Sequence, residues 1–558
     1  MAMSFPEAIA AVGAPGQFFE VVARERGGVT NREFVNSPQN LRDIFDTSRG
    51  LHETFLVYED EEWTFARTLE EVDALSHALV HRYGIKVGDR VGIAMRNYPE
   101  WIVSFAAIVS IGAVSVSLNA WWTEDELEYA INDSGLSVLI ADTERVRRAA
   151  EVCRRAGVAM LGVRLDELEP LEHGVEHWHD VVAHGAAMPD VVIGPDTDAT
   201  ILYTSGTTGL PKGAVATHGS ICQTIMAFSS SGVIQTVRRG AVAEVESLPA
   251  CFILIVPLFH VTGCIPVMLS CFTLHLKLVM MYRWEPERAL ALIERHQVTN
   301  FVGVPTQAWD LLENPHFDQY DTSSLSAVGG GGAPAPPTLV ARVEGSFKQG
   351  HPTLGYGMTE TNAYGPGNYG EDYLSHPLST GRVPTIVMDV DIRDELRGSL
   401  PQGESGEIWM KSPTLIRGYW EKPEATGEAI VNGWLRTGDL GHIDDEGFLY
   451  VEDRLKDMIL RAGENVYCAE VESAIYEHEA VYEAAVVGLP DERLGEEVAA
   501  VVMLRDGGRL DFDALHAHLT ERLASFKIPT RVAFTRESLP RNAAGKFLKR
   551  EMPRLYFD

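Results

Sequence analysis

Beyond a weakly patterned first fifty residues, the apolar positions of the chain alternate between two periods. "TLEEVDALSHALVHRYG" (68–84) spaces its Leu, Val and Ala residues three and four apart, as a helix with one buried face does. "RVGIAM" (90–95) is an apolar run of strand length, "PEWIVSFAAIVSIG" (99–112) is helical again, "AVSVSL" (113–118) is a strand, and "TEDELEYAINDSG" (123–135) is a helix. Such alternation predicts parallel sheets covered by helices, with ligands on the loops that leave the carboxyl ends of strands. "ATILYTSGTTG" (199–209) fits, since a strand ending at Tyr203 runs straight into a glycine-rich loop. Later segments turn β-rich: "SGEIWMKSPTLIRGYW" (405–420) and "GWLRTGDLGHIDDEGFLYVEDR" (433–454) carry turn signals every few residues. A compact α+β pattern closes the chain, with helices over "AEVESAIYEH" (469–478) and "DFDALHAHLTERLASF" (511–526) and strands over "VYEAAVVGLP" (481–490) and "EEVAAVVML" (496–504).

The expected fold class is therefore α/β. A large N-terminal domain of helix-covered parallel sheets plus a small β-barrel-like part spans 1–455, and a small α+β C-terminal domain spans 456–558. With 558 residues, 45% of them apolar, one core would be too large, which agrees with more than one domain.

Charge narrows the partners. Lys and Arg total 47 against 79 Asp and Glu, a net charge of -32, which repels nucleic acid and anionic membranes. An anionic small ligand needs a locally positive pocket against this background. From Ser247 to Leu276 no Asp, Glu, Lys or Arg occurs, a length that could span a bilayer. Pro249, Pro257, Gly263 and Pro266 interrupt it, so "CFILIV" (251–256) is expected as a buried parallel strand and no stable membrane insertion follows. The six cysteines show no CxxC spacing and are expected as reduced thiols in a cytoplasmic protein. The opening "MAMSFPEAIAAVGAPG" has neither basic flank nor long apolar core, so no secretory leader is expected.

Candidate chemistry concentrates in five stretches. "YTSGTTGLPKG" (203–213) offers the hydroxyls of Thr204, Ser205, Thr207 and Thr208, the backbone of Gly206 and the cation of Lys212, the set a polyphosphate asks for. It is not the common phosphate loop, because the second glycine that spacing requires falls on Pro211. "VPLFHVTG" (256–263) places His260 at the end of an apolar strand, and "GGGGAPAPP" (329–337) lets backbone approach a flat ligand. "LGYGMTE" (354–360) presents a ring at Tyr356, a hydroxyl at Thr359 and a carboxylate at Glu360. "PRNAAGKFLKRE" (540–551) sets Lys546 on a glycine-flexed turn.

In this order and over residues 55–550, these stretches together with "GWLRTGDLG" and "DRLKDMI" resemble the superfamily of adenylate-forming enzymes, which includes acyl-CoA synthetases, non-ribosomal adenylation domains and beetle luciferases. The resemblance implies ATP and CoA as substrates, Mg²⁺ as cofactor and a mobile C-terminal domain. It implies that Thr204, Ser205, Gly206, Thr207, Thr208 and Lys212 hold the triphosphate. Gly332, Ala333, Gly355 and Tyr356 would line the adenine, with Thr359 near the α-phosphate. Glu360 would coordinate Mg²⁺ together with Thr207, and Asp439 would accept from the ribose with Arg454 beside it. Lys456 takes the hinge position, Gly463 and Arg461 the CoA channel, and Lys546 the bridge between carboxylate and α-phosphate. Catalysis then rests on Lys546, Glu360 and Lys212. Acyl-pocket walls fall on His260, Val261, Gly263, Gly303, Gly331 and Gly357, apolar apart from hydroxyls, with four consecutive glycines expected to leave volume for a long or bulky tail.

Three departures stand out. Cys468 replaces the proline common in "YPAEVE" and is expected as an apolar packer; "VED" precedes Arg454 where many members have glycine; and "LRAGEN" holds the single cation Arg461. The expected function is an ATP-dependent acid–CoA ligase, with a medium- or long-chain fatty acid favoured and an aryl or cyclic acid second. Delivery to a carrier protein or an amine is the alternative, although no carrier domain is expected to follow Lys546. Amino acid substrates are disfavoured, because His260 stands where their enzymes place an aspartate. A nucleotide sensor and a light-emitting oxygenase are weaker readings, and a homodimer is left open.

Overall fold

Helix Pro99–Ser110 is buried at every position, and its residues share one core with strands on either side of it. A helix apolar all round needs such a place, and two eight-stranded sheets supply it. The first orders its strands 418–419, 212–217, 198–204, 114–117, 90–94, 138–142, 159–163 and 175–177. The second orders 367–369, 351–355, 327–331, 300–303, 251–254, 277–280, 54–58 and 61–64. Their central strands pair in parallel, while the edges that carry the glycine-rich loop pair antiparallel: Asp198–Thr204 lies parallel to Val114–Ser117 and antiparallel to Lys212–Thr217. The computed structural model describes residues 3–165, 174–204, 210–240, 248–333, 335–461, 464–491, 493–542 and 545–558.

The predicted elements form close to their expected limits, and local chemistry sets the ends. Thr123 accepts a hydrogen bond from Glu126 N while Glu126 receives Thr123 N at 2.8 Å, so a capping box starts helix Glu124–Ser134; Gly135 ends it at φ +61°. The helix expected over 511–526 stops at Thr520, where Arg522 donates to the His518 carbonyl at 2.8 Å. The weakly patterned start contains helix Phe5–Val12, a hairpin of Val21–Arg26 with Val29–Phe34, and helix Leu41–Asp46. The hairpin escapes sequence reading because its first strand is mostly exposed and polar.

The charge-free stretch contains strand Cys251–Leu254, parallel to 277–280 and 300–303 as expected, followed by a π-helix, Gly263–Leu269. Pro266 lacks the N–H an α-helix would use, and a widened turn accommodates it. A Cβ on Gly263 would lie 2.4 Å from the Pro257 carbonyl oxygen, so the turn closes only over glycine. No helix among the described residues is long and apolar enough to cross a membrane.

The small β part is a six-stranded antiparallel sheet in the order 379–382, 448–454, 434–443, 406–411, 389–393, with 430–431 added beside 434–443. The C-terminal domain follows: strands 464–466, 459–461, 495–504 and 481–491, with 531–535 parallel to 495–504, packed on helices Cys468–Tyr476 and Phe512–Thr520. Cys468 is buried in that core, as expected of an apolar packer; its Sγ–H donates to the Asp457 carbonyl at 3.1 Å, and burial pushes the thiol far up.

Candidate active site

Strand-end loops of both large sheets, the small β sheet and the C-terminal domain converge on one cluster of charges. The loop after Asp198–Thr204 returns as Lys212–Thr217, so Thr204 pairs with Lys212 across the hairpin and its hydroxyl donates to the Lys212 carbonyl at 3.4 Å. Ser205, Gly206, Thr207 and Thr208 lie outside the described residues, as does Gly463. The Lys212 ammonium stands 5.3 Å from the Tyr419 ring centroid, and the Tyr419 hydroxyl donates to Glu360 Oε1 at 2.7 Å. Tyr419 reaches this place because the two-residue strand Gly418–Tyr419 adds to the edge beside Ala214–Val215. Sequence reading passed over it; the signal was an aromatic pair, "GYW", in a β-rich stretch.

Glu360 sits in a single 3₁₀ turn, Thr359–Thr361, after strand His351–Gly355. Two and three residues on from Gly357, Thr359 and Glu360 are held half-buried beside the site. Tyr356 leaves the same strand, and its hydroxyl donates to Asp439 Oδ2 at 2.6 Å. Asp439 pairs directly opposite Arg454, whose Nε is 3.5 Å from Oδ1. Burial pushes the Asp439 carboxyl up, opposed first by Arg454.

Lys546 arrives from the C-terminal domain. A hairpin-like turn holds it: Asn542 Oδ1 accepts from Lys546 N at 3.0 Å and Asn542 N donates to Lys546 O at 2.8 Å. Gly545 makes the turn at φ +79° and passes so close to Val304 that a Cβ would be 3.1 Å from Val304 Cγ2. Burial, then the Arg454 charge, pushes the Lys546 ammonium down to about 8, against the pull of Asp439 and Glu360. The three groups that act on its charge are thus those to which the family resemblance gives the ribose, the metal and the place beside the ribose.

His260 lies six residues beyond the end of its strand, in the loop before the π-helix, not at the strand end. Its Nε2 is buried without a hydrogen-bond partner among the described residues, and burial with the nearby Lys546 charge holds the ring down to about 4, hence neutral. Asn97 fixes this loop: its amide donates to the Val256 carbonyl at 3.1 Å and the Met281 carbonyl at 3.2 Å, and its Oδ1 accepts from Leu258 N at 2.9 Å. Val261 is buried beside His260.

The glycine run behaves differently from the expectation of free volume. A Cβ on Gly329, Gly330 or Gly331 would lie 1.9, 1.8 or 2.4 Å from a backbone oxygen of a neighbouring strand, so these glycines serve close strand packing. Gly303 and Gly357 are likewise hemmed in, by Gln307 Oε1 at 2.6 Å and the Ala363 carbonyl oxygen at 2.3 Å. Open space begins only at exposed Gly332, where the nearest atom to a Cβ is Val304 Cγ1 at 4.0 Å; Ala333 is half-buried and Gly355 exposed beside it. Arg461 donates to the Phe526 carbonyl at 2.6 Å, and Lys456 lies exposed in the turn after Arg454.

No group of three or more His, Cys, Asp or Glu among the described residues could hold a metal ion. A lone carboxylate such as Glu360 suits Mg²⁺, which keeps water and substrate phosphate as most of its ligands.

Comparison with known proteins agrees with this geometry. Residues 47–420 match the AMP-binding enzyme family and residues 470–546 its C-terminal domain. The chain is 34% identical over 514 residues to a feruloyl-CoA synthase of an Amycolatopsis species, covering 90% of this chain and 96% of that protein. It is 35% identical over 467 residues to the long-chain-fatty-acid–CoA ligase FadD13 of Mycobacterium tuberculosis, covering 84% and 88%. The structure of the amide bond synthetase McbA from Marinactinospora thermotolerans superposes with a TM-score of 0.80 at 30% identity, covering 92% of this chain and 98% of that one. The chain belongs to the AMP-binding enzyme family and is an adenylate-forming enzyme of the acyl-CoA synthetase kind.

Proposed function

We propose that the enzyme joins a monocarboxylic acid with an apolar tail to CoA at the expense of ATP, with medium- or long-chain fatty acids ahead of aryl or cyclic ones. The observation that carries the reaction is the meeting of Lys546 with Glu360, Asp439 and Arg454, contributed by both domains. Attack of a carboxylate on the α-phosphate brings two anions together, and Lys212 and Lys546 offset that repulsion while charge spreads in the transition state. Tyr419 fixes one oxygen of Glu360 through its hydroxyl. Mg²⁺, when bound by Glu360 with Thr207, would add positive charge on the phosphates. Asp439 accepts from the ribose, and Tyr356 and Arg454 hold its carboxylate in place. Thr204 flanks the phosphates, and Gly332, Ala333, Gly355 and Thr359 frame the nucleotide.

The acyl group lies along His260, Val261, Gly263, Gly303, Gly331 and Gly357. None of these supplies a charge, because His260 is held neutral, and burying an unpaired charge there would be costly. The relatives named above act, by their names, on an aromatic and on a long-chain acid, so both classes belong in the test. Domains meet at 455/456, with Lys456 as hinge; rotation there would carry Gly463 and Arg461 to the thiol. The six unpaired, buried thiols suit a cytoplasmic setting. The deciding experiment measures pyrophosphate release with dodecanoate, palmitate, ferulate, 2-succinylbenzoate and free amino acids, then CoA-dependent AMP release, with hydroxylamine as a competing amine acceptor. Turnover of a dicarboxylate or amino acid within tenfold of the best monoacid would sink the apolar-pocket reading.

A further inference from the structure

Helix Pro305–Leu312 follows strand Asn300–Gly303 directly and touches the C-terminal domain at both of its ends. At its start, Val304 packs against Gly545 in the turn that carries Lys546. At its far end, Asp310 and Glu313 each join two residues. Asp310 Oδ1 accepts from the Tyr482 hydroxyl at 2.7 Å, and its Oδ2 accepts from Trp284 Nε1 at 2.7 Å. Glu313 Oε1 accepts from Arg342 at 2.5 Å and also from Arg505. The ring of Trp309, buried on the same helix, has both guanidiniums near it, Arg342 at 5.1 Å and Arg505 at 5.3 Å from its centroid.

The C-terminal partners are placed by a break in strand register. Val481 pairs with Leu504 and Glu483 with Met503, which leaves Tyr482 as the extra residue of a bulge. A bulge re-aims one side chain out of the ladder, and here Tyr482 lies against Arg505, 5.6 Å from ring centroid to guanidinium. Asp310 in the last turn of the helix and Glu313 just past its end, three residues apart, meet this pair side by side.

We propose that Asp310 and Glu313 are positioning residues: the Tyr482–Asp310 and Arg505–Glu313 contacts lock the C-terminal domain in the orientation that delivers Lys546, and they must separate before the thioester step. The reason is mechanical. Two charged contacts at one end of a rigid helix and one packed contact at the other fix the angle of the domain, which a single contact beside Lys546 would not. The inference rests on the two-step reading given above, and it predicts that loss of the contacts damages only the first step.

Its test compares wild type, Tyr482→Phe, Asp310→Ala, Arg505→Gln and the Tyr482→Phe/Asp310→Ala pair. Tyr482→Phe keeps the ring and removes only the hydroxyl, so its melting temperature should stay near wild type. Single-turnover acyl-AMP formation, with the best acid of the panel, should fall about tenfold in each variant, the scale of a lost charge-assisted hydrogen bond. The pair should fall less than the product of its singles. Attack of CoA on synthetic dodecanoyl-AMP or feruloyl-AMP should be unchanged or faster. A second readout needs no turnover: spin labels at exposed positions 404 and 513 should give one narrow distance in wild type and a broadened one in Arg505→Gln. Equal damage to both half-reactions, or a multiplicative pair with an unchanged distance distribution, overturns the inference. A wild type that forms acyl-AMP from none of the acids overturns the ligase reading instead, and the distance measurement then decides the domain lock alone.

Discussion

The ammonium of Lys546 sits among two carboxylates, Asp439 and Glu360, and one guanidinium, Arg454; burial, helped by Arg454, outweighs the two carboxylates and brings it down to about 8. Between pH 8 and the ordinary lysine range the unfolded chain holds a proton that the folded one has released. The charged form therefore costs stability below about pH 8, and that cost is relieved as pH rises. In the proposed reaction catalysis runs the other way, because only the ammonium would offset phosphate charge. Adenylation kcat/KM should fall above about pH 8, and Lys546→Arg should move that limb beyond the accessible range even if it lowers the plateau. A pH profile of pyrophosphate release checks this; an alkaline limb that survives in Lys546→Arg would assign the titration elsewhere. Tyr419 offers a second test at this scale. Tyr419→Phe keeps the ring beneath Lys212 and removes the hydroxyl from Glu360, so adenylation should drop about tenfold, a hydrogen bond to a charged group, and the Mg²⁺ dependence should shift upward. Unchanged kinetics at low Mg²⁺ would show that the bond orients nothing.

At the scale of elements, loops that carry chemistry are held by buried polar side chains on neighbouring elements. Asn97, 5% exposed, ties the loop 256–258 to the end of strand Lys277–Met280 with three hydrogen bonds. Asn97→Ala leaves two carbonyls and one N–H unpaired, a loss of about 2 kcal/mol or more, visible as a lower denaturation midpoint. Because His260 rides on that loop, the acid preference should broaden as well, which Asn97→Asp, keeping the acceptor alone, should share in part. Asp453 plays a similar part at the join to helix Cys468–Tyr476: its carboxylate accepts from Cys468 N and, at 2.7 Å, from Arg454 N. Burial raises it to about 6. The folded state thus retains a proton between about pH 4 and 6 that the unfolded state has released, so this group's contribution to stability declines as pH rises through that window. Asp453→Asn should flatten the corresponding slope of melting temperature against pH; an identical slope would place the titration on another group.

For the whole molecule, the proposed reaction asks one active site to serve two steps, with the C-terminal domain in a different arrangement for each. Lys546→Ala should cost roughly 10² to 10³ in acyl-AMP formation, the scale of one focused transition-state contact, and spare attack by CoA on supplied acyl-AMP. Single-turnover kinetics of each half-reaction separate the two. Equal losses in both would mean that the domain does not alternate or that the substitution unfolds it.

Periodicity was enough for the helices and strands between 68 and 135, because burial on one face or two leaves a local mark in the order of side chains. The family resemblance carried by short motifs was enough to bring Lys212, Glu360, Asp439 and Lys546 onto one list, because each of them sits in a local stretch of distinctive side chains and turns. Neither could show what depends on residues far apart. Tyr419 belongs to the site only because a two-residue strand pairs with an edge two hundred residues earlier. The glycine run looked like empty volume, yet it is filled by backbone from adjacent strands. Tyr482 looks like an ordinary strand residue until a register break turns it toward a helix some 170 residues away. Side-chain type and local spacing are properties of the chain; distance across it, burial and the proton affinities that follow from burial exist only once the chain has folded.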